Sequence, residues 1–235
     1  MTRLWIVQIA ALLLVGCTHV DRAERGDPIS ETQAVPLGGA ESAKIDIDVG
    51  AGEIGLGPGA TGLLDAEFLY QPRSMRPVVN SSVASGRAYV TVRQPSLIEK
   101  GLRGVQESRW KLKLNEKVPA ELRVKVGAGK SVLDLARIPV TRLNVEVGAG
   151  ELELDLSGPR TVDLDGKVQG GVGGITVRLP TDIGVRVKAN QGLGELRAGR
   201  LKRQNSYLVN DLYGKTPVDL RLEVTGGVGS LRLVE

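Results

Sequence analysis

The segment Val145-Glu146-Val147-Gly148-Ala149-Gly150-Glu151-Leu152-Glu153-Leu154 carries the pattern on which the fold depends. Aliphatic and polar residues alternate on both sides of a Gly-x-Gly element, which is the period of a β-strand with one buried face. Glycine tolerates positive φ and lets another stretch of backbone approach closely, so this element predicts a corner between two strands. We therefore interpret the segment as strand, glycine corner, strand.

The same element occurs six times along the chain. The first glycines are Gly50, Gly127, Gly148, Gly171, Gly192 and Gly227, and the second glycines are Gly52, Gly129, Gly150, Gly173, Gly194 and Gly229. Three consecutive spacings are 21, 23 and 21 residues, and the positions three and five residues before each first glycine are apolar except for Gly166. A unit of this size cannot bury its apolar face alone, so the units are expected to stack.

Stacking predicts an all-β, parallel β-solenoid with coils of about 21 residues and glycine corners aligned in a column. Lys125 and Glu146 should then lie side by side on neighbouring coils as opposite charges. The residue between the two glycines is always apolar, which predicts that its side chain points inward. These middle residues are Ala51, Ala128, Ala149, Val172, Leu193 and Val228.

Two intervals break the period. Between Gly50 and Gly127, strand-like runs at 63–70, 88–93 and 110–114 fit either further coils or an inserted hairpin. The interval before Gly227 predicts a protruding loop or hairpin, followed by a closing strand at 220–224. We therefore divide a solenoid domain, residues 43–235, into an N-terminal part with extra strands and a loop (63–118) and regular coils (119–235).

The N-terminus has the features of an export signal. Residues 1–16 combine one positive charge, Arg3, with an apolar run too short to span a bilayer, which predicts a cleaved signal peptide. Leu14-Val15-Gly16-Cys17 resembles the bacterial lipobox, so Cys17 is the predicted lipidation site. A secreted protein with a free thiol and an uncleaved anchor are the alternatives. Residues 17–42, rich in proline and glycine, read as a flexible tether.

Thr18 follows the cysteine where retention at the inner membrane would favour Asp. Resemblance to Gram-negative lipoproteins then implies the periplasm-facing side of the outer membrane, and in other bacteria the outer face of the cytoplasmic membrane. In either case the chain is predicted to be exported and lipid-anchored.

Composition excludes most catalytic centres. His19 and Cys17 are the only residues of their types, so Ser-His, Cys-His and His/Cys metal sites are not expected, and no cofactor or metal is predicted. The net charge of +4 is too small to attract polyanions strongly, so no nucleic acid partner is predicted. The glycine elements also lack the Gly-Lys-Ser/Thr of a nucleotide-binding loop. Glu151 and Glu153, about 6.5–7 Å apart on one strand face, leave a carboxylate glycosidase as an alternative.

A basic cluster precedes a tyrosine-containing segment near the C-terminus. Its residues and the two tyrosines are candidate interaction residues, namely Arg197, Arg200, Lys202, Arg203, Tyr207 and Tyr213. They could meet anionic groups and anchor a partner. A charged loop that covers a sheet edge, with tyrosines packed on the last coil, explains the same residues.

The order of several motifs resembles the toast-rack domain, which is similar to the C-terminal region of LiaF-like proteins associated with responses to cell-wall-active antibiotics. The motifs are Trp110-Lys-Leu-Lys-Leu-Asn, Val118-Pro119, Val126-Gly-Ala-Gly129, Val147-Gly-Ala-Gly150, Leu179-Pro180, Gly192-Leu-Gly194, Tyr207 to Tyr213 and Gly227-Val-Gly229. The resemblance covers roughly residues 35–235. It implies a right-handed, single-stranded β-helix in the bacterial envelope, without catalytic residues to carry over.

These observations predict a non-enzymatic scaffold held to a membrane by an N-terminal lipid. Its partner would be an envelope protein or a glycan. A carbohydrate-binding or glycan-active β-helix is the alternative, and a role in envelope stress follows only from the resemblance. A lipobox stands where LiaF-like proteins have several membrane helices, which argues against direct signalling to a membrane kinase.

Overall fold

A computed structural model describes residues 27–96 and 107–235. The predicted signal peptide and Cys17 lie outside these residues. The strands are β1 (Ile29–Val35), β2 (Ser42–Pro58), β3 (Leu64–Gln71), β4 (Val78–Ala84), β5 (Arg87–Arg93), β6 (Glu107–Leu114), β7 (Ala120–Asp134), β8 (Val140–Asp155), β9 (Leu164–Arg178), β10 (Gly184–Arg197), β11 (Lys202–Gln204), β12 (Tyr207–Val209) and β13 (Asp219–Val234). Within residues 27–96 and 107–235, the one helical element is a 3₁₀ turn, Arg73–Met75.

These strands form one open and mostly parallel sheet. Its order is β1-β3-β6-β2-β7-β8-β9-β13-β10-β12-β11, with β5 paired to β2 and β4 paired to β5. The prediction of an all-β, mostly parallel stack is confirmed. A uniform coil of about 21 residues is not confirmed. Residues paired between neighbouring strands are 21 positions apart in the chain for β7 and β8, 23 for β8 and β9, and 56 for β9 and β13.

The second glycines of the six corners form a column across the sheet. They pair in the order Gly52, Gly129, Gly150, Gly173, Gly229 and Gly194. Each has a φ between +126° and +139°, which side chains disfavour. A Cβ on Gly173 would also lie 1.8 Å from the carbonyl oxygen of Gly150. Both the backbone conformation and the contact between coils therefore require glycine.

The corner also changes which residues face the core. In β8 the odd-numbered Val145 and Val147 are buried before the corner, whereas the even-numbered Leu152 and Leu154 are buried after it. Strict strand alternation would keep one parity throughout. The bend at the glycines absorbs one residue, so each long strand has two straight arms whose apolar faces enclose the same core. We call the parts before and after the glycines the first arm and the second arm.

The prediction that the middle residue of each corner points inward is wrong. Val172, Val228 and Leu193 are 59%, 48% and 71% exposed, and Ala128 and Ala149 are also exposed. The middle residue lies on the outside of the bend, because the shift in parity takes place there. The middle residues form an apolar row along the corner, exposed at five of the six positions and half-buried at Ala51.

The last two long strands are not stacked in chain order. β13 lies between β9 and β10 and is parallel to both. The long interval before β13 contains a hairpin, β11–β12, whose second strand pairs antiparallel with the first arm of β10. This hairpin continues the sheet and does not protrude from it.

At the N-terminal end, two short strands take the place of one bent strand. β5 pairs with the first arm of β2 and β6 with its second arm, so on the side away from β7 no corner among the described residues stacks on Gly50-Ala51-Gly52. The Gln94 side chain fills that place: its Oε1 accepts a hydrogen bond from the Ala51 N–H at 2.9 Å, and its Nε2 donates to the Ala51 carbonyl at 3.1 Å. Nε2 also donates to the Ser108 Oγ at 3.0 Å. The side-chain amide replaces the missing peptide.

The predicted tether is shorter than expected because residues 29–35 form β1, antiparallel to β3. Glu31 in this edge strand accepts hydrogen bonds from the Arg76 Nε at 2.8 Å and the Tyr70 hydroxyl at 3.0 Å. The Arg76 guanidinium is the main reason that the pKa of Glu31 falls to about 2. Polar contacts hold this strand, so apolar periodicity could not reveal it. β4, an exposed edge strand, was missed for the same reason.

Replacing Gly173 by alanine should destabilise the protein by about 3 kcal/mol or more, because the new Cβ meets backbone and the φ is unfavourable. Urea unfolding of the purified protein measures this change. Gly174 is the matched control in the same strand, since a Cβ there meets only the Ser230 Oγ at 3.6 Å. Equal stability of the Gly173→Ala and Gly174→Ala variants would contradict the close-contact model of the corner.

Replacing Gln94 by leucine should cost about 1–3 kcal/mol, because the buried peptide groups of Ala51 lose their partners. Chemical denaturation followed by circular dichroism gives the difference in unfolding free energy. Gln169→Leu is the control, since that side chain lies on the outer face beside another corner. A Gln94→Leu variant as stable as the control would show that the amide does not complete the corner.

Candidate interaction surface

The outer face of the first arms carries aligned rows of polar side chains. The parallel register brings together residues at the same distance from each corner. The row six residues before the first glycine runs Lys44, Glu121, Arg142, Asp165, Arg221 and Arg186 across neighbouring strands. The row four residues before it runs Asp46, Arg123, Asn144, Lys167, Glu223 and Lys188.

A groove of about 600 Å³ lies on this face over strands β2, β7, β8 and β9. The side chains and backbone that line it are Lys44, Asp46, Glu121, Leu122, Arg123, Arg142, Leu143, Asn144, Asp165, Gly166 and Lys167. A depression of about 340 Å³ closer to the corner is lined by Lys125, Glu146, Gln169 and the adjoining backbone. The register of Lys125 opposite Glu146 is confirmed.

Two of the three carboxylates that line the groove, Glu121 and Asp165, are engaged by arginines. Glu121 is 3.0 Å from Arg87, which lies outside the groove lining. Asp165 accepts a hydrogen bond from the Arg221 Nε at 2.7 Å, and this bond is the main reason that its pKa is lowered. Arg221 also reaches Asp163 at 2.9 Å.

The remaining ion pair at the groove joins Arg123 to Glu146, with 3.5 Å between the charged atoms. Lys44, Arg142 and Lys167 have no carboxylate within 4 Å among the residues that the structure describes. Three cations that line the groove therefore make no ion pair, although Lys44 and Arg142 flank Glu121 in register.

Two of the four basic residues in the predicted cluster are engaged in ion pairs within the chain. Arg197 is paired with Glu195 at 2.6 Å, and Lys202 with Asp211 at 2.8 Å. Arg200 and Lys202 line a depression of about 210 Å³ beside Asp211 and Glu235. Arg203 lies exposed in β11.

The two candidate tyrosines come together on one guanidinium group. The rings of Tyr207 and Tyr213 have their centroids 4.7 Å and 5.2 Å from the Cζ atom of Arg186. Both rings are partly buried by this contact. The tyrosines thus hold the hairpin and the following segment against β10, so they are poor candidates for partner anchors.

Glu151 and Glu153 lie exposed on the outer face of the second arm of β8. Glu153 is 3.6 Å from Lys130, and neither carboxylate lines the groove. Their surroundings are those of solvent-exposed strand residues. In residues 27–96 and 107–235 no group of three or more His, Cys, Asp or Glu could hold a metal ion.

Lys44, Arg142 and Lys167 are not among the residues predicted from the sequence. The positions two, three and five residues before the first glycine cover only the buried face and one outer row. Aligning the repeats at four and six residues would have placed these cations in adjacent rows. The formation of a groove there could not be read from the alignment.

No helix within the described ranges is long and apolar enough to cross a membrane. No functionally curated protein matches the chain significantly.

One solved structure is similar over nearly its whole length. It is a Clostridium sporogenes protein provisionally assigned to cell adhesion, with 29% sequence identity and a TM-score of 0.83. The match covers 88% of this chain and 99% of that one.

Two proteins provisionally described as adhesins match far less well. One from Bacteroides fragilis has 12% identity and a TM-score of 0.32, covering 88% of this chain and 97% of that one. One from Parabacteroides distasonis has 14% identity and a TM-score of 0.29, covering 88% and 98%. Scores this low say nothing further about this fold.

The family model described as the N-terminal domain of toast_rack, DUF2154, matches residues 24–178. The match ends at the last residue of β9, so it includes the glycine corners of β2, β7, β8 and β9. The stacked corners, the mostly parallel open sheet and this match lead to one conclusion: the chain belongs to the toast-rack family.

Proposed function

We propose that the protein is a non-catalytic interaction scaffold of the bacterial cell envelope, and that its groove on the first-arm face contacts the partner. The observation that carries the proposal is the groove itself, where a rigid parallel stack presents charged side chains over four strands. Such a surface suits recognition, since side chains on paired strands need little reordering on binding.

The similar Clostridium sporogenes protein supports this assignment, because its provisional description is cell adhesion. We extend the idea of adhesive contact, and no particular partner, to this chain. A part in envelope stress would follow from the likeness to LiaF-like proteins alone. Unchanged antibiotic susceptibility after deletion of the gene would remove that part of the proposal.

The lipid anchor belongs to the same proposal. Several acyl chains on Cys17 would hold the protein stably at a membrane, since each buried CH₂ contributes about 0.8 kcal/mol. The stretch between Cys17 and β1, shorter than the predicted tether, would then set how far the sheet lies from the headgroups.

A photoreactive amino acid at position 167 should crosslink to the partner in living cells, because Lys167 lies exposed in the groove. The matched control is position 178, where Arg178 lies exposed on the outer face of the second arm of the same strand. We expect at least tenfold more adduct from position 167, measured by immunoblot. Equal yields from the two positions, or no adduct from 167, would contradict the proposal.

The Cys17→Ser variant should move from the detergent phase to the aqueous phase when cells are extracted and partitioned, because it cannot be acylated. A Thr18→Ser variant is the control, since it leaves the cysteine in place. Metabolic labelling with a fatty acid should mark the parent protein and not the Cys17→Ser variant. An unlabelled parent protein would refute the lipid anchor while leaving the groove proposal intact.

A further inference from the structure

We infer that the groove on the first-arm face binds an extended, acidic segment of a partner protein. The inference rests on the proposed function and specifies its partner. It starts from the charges that the fold leaves unpaired in the groove.

At the groove, ion pairs engage most of the lining carboxylates but few of the lining cations. Glu121 and Asp165 are held by Arg87 and Arg221, two arginines that do not line the groove. Arg123 is paired with Glu146, which lines the neighbouring depression. Because Glu121 and Asp165 already have cationic partners, they are less available to bind a cationic ligand.

Among the remaining lining residues, Lys44, Arg142 and Lys167 are cations without a carboxylate within 4 Å, and Asp46 is the one carboxylate in the same position. Four cations, Lys44, Arg123, Arg142 and Lys167, and three carboxylates, Asp46, Glu121 and Asp165, line the groove, so its lining has a formal charge of +1. A ligand that supplies carboxylates would form ion pairs and charge-assisted hydrogen bonds with these cations. Complementary charge of this kind increases both the association rate and the specificity.

The register sets the spacing of the three cations. Lys44 and Arg142 both pair with Glu121, so they lie two strands apart, at roughly 9.5 Å from strand spacings of ~4.8 Å. Arg142 and Asn144 lie two residues apart on β8, and Lys167 on β9 is the register neighbour of Asn144. Arg142 and Lys167 are therefore diagonal neighbours, about 7–8 Å apart.

An extended peptide places side chains i and i+2 on one face, about 6.5–7 Å apart. Acidic residues at alternate positions would thus match the diagonal between Arg142 and Lys167. A third acidic residue further along would lie close to Lys44. A strand-like acidic peptide could meet these cations with separate carboxylates, one for each cation.

The lining argues against ring-shaped ligands. No aromatic side chain is found among the described residues that line the groove. Sugars and nucleobases gain much of their binding from stacking on aromatic faces. A peptide needs no such platform, so a protein segment is the favoured occupant.

The inference can be tested with the acylated full-length chain in detergent micelles. The probe is a fluorescent eight-residue peptide of alternating glutamate and serine, measured by fluorescence anisotropy at about 50 mM salt. We expect saturable binding that weakens strongly at about 1 M salt, where charges are screened within ~3 Å. The same peptide with glutamine in place of glutamate should not bind.

The variants Lys44→Gln, Arg142→Gln and Lys167→Gln, combined in one protein, should weaken binding at least tenfold. The matched control combines Lys113→Gln in β6 with Arg178→Gln and Arg232→Gln in the second arms of β9 and β13, three cations outside the groove lining. Both proteins lose the same charge, so a local site predicts weakening in the first alone. Circular dichroism checks that both are folded.

Equal weakening in the two triple variants would overturn the inference, because it would indicate a general charge effect. Competition by polygalacturonate or inorganic phosphate at lower concentration than the peptide would overturn it in favour of a glycan or a phosphate group. If the peptide fails to bind while position 167 still crosslinks in cells, the acidic-segment inference falls and the scaffold proposal stands. Peptide binding without that crosslink would support the inference as a chemical preference and refute the proposed function.

Discussion

The close approach of backbone to backbone at the glycine corners is the constraint on which the rest of the structure depends. Each second glycine lies so near to the carbonyl oxygen of the preceding coil that a Cβ has no room. Its positive φ shifts the parity of the strand, so both arms turn their aliphatic residues toward one core. A core of Val, Leu and Ile suffices because each layer lies directly on the next.

The same constraint explains how the N-terminal end of the glycine column is completed. On that side of Gly50 and Gly52 no corner stacks among the described residues, and the Gln94 amide supplies the missing peptide. Gln191 makes a different contact in the last corner, where its Nε2 donates to the carbonyl oxygens of Leu193 and Gly229 at 3.2 Å. It links the corner of β10 to the corner of β13.

Register follows from the column and determines the outer face. Because the glycines stack in phase, residues at fixed distances from them form rows, and the rows set which charges neighbour one another. Arg221 can bridge Asp163 and Asp165 only because β13 lies beside β9, 56 residues away in the chain. This pairing engages Asp165, whereas Lys167 on the same strand makes no ion pair among the described residues.

The toast-rack match and the topology divide the chain at the same place. The family model covers residues up to the end of β9, and beyond it β13 is inserted between β9 and β10. The part with strand order equal to chain order, β7 to β9, is thus inside the match. The C-terminal strands, which complete the sheet in crossed order, lie outside it.

The sequence alone determined the strand-corner-strand unit, the in-phase stacking of the glycines and the family, because glycine spacing and period-two alternation report directly on backbone sterics and burial. It could not determine that β13 precedes β10 in space, since the two strands carry the same pattern and either could lie on β9. It also missed β1 and β4, where polar contacts or exposure replace apolar alternation. The groove was decided only by tertiary structure, because its charges come from strands that are distant in the chain and their neutralisation depends on which strands become neighbours.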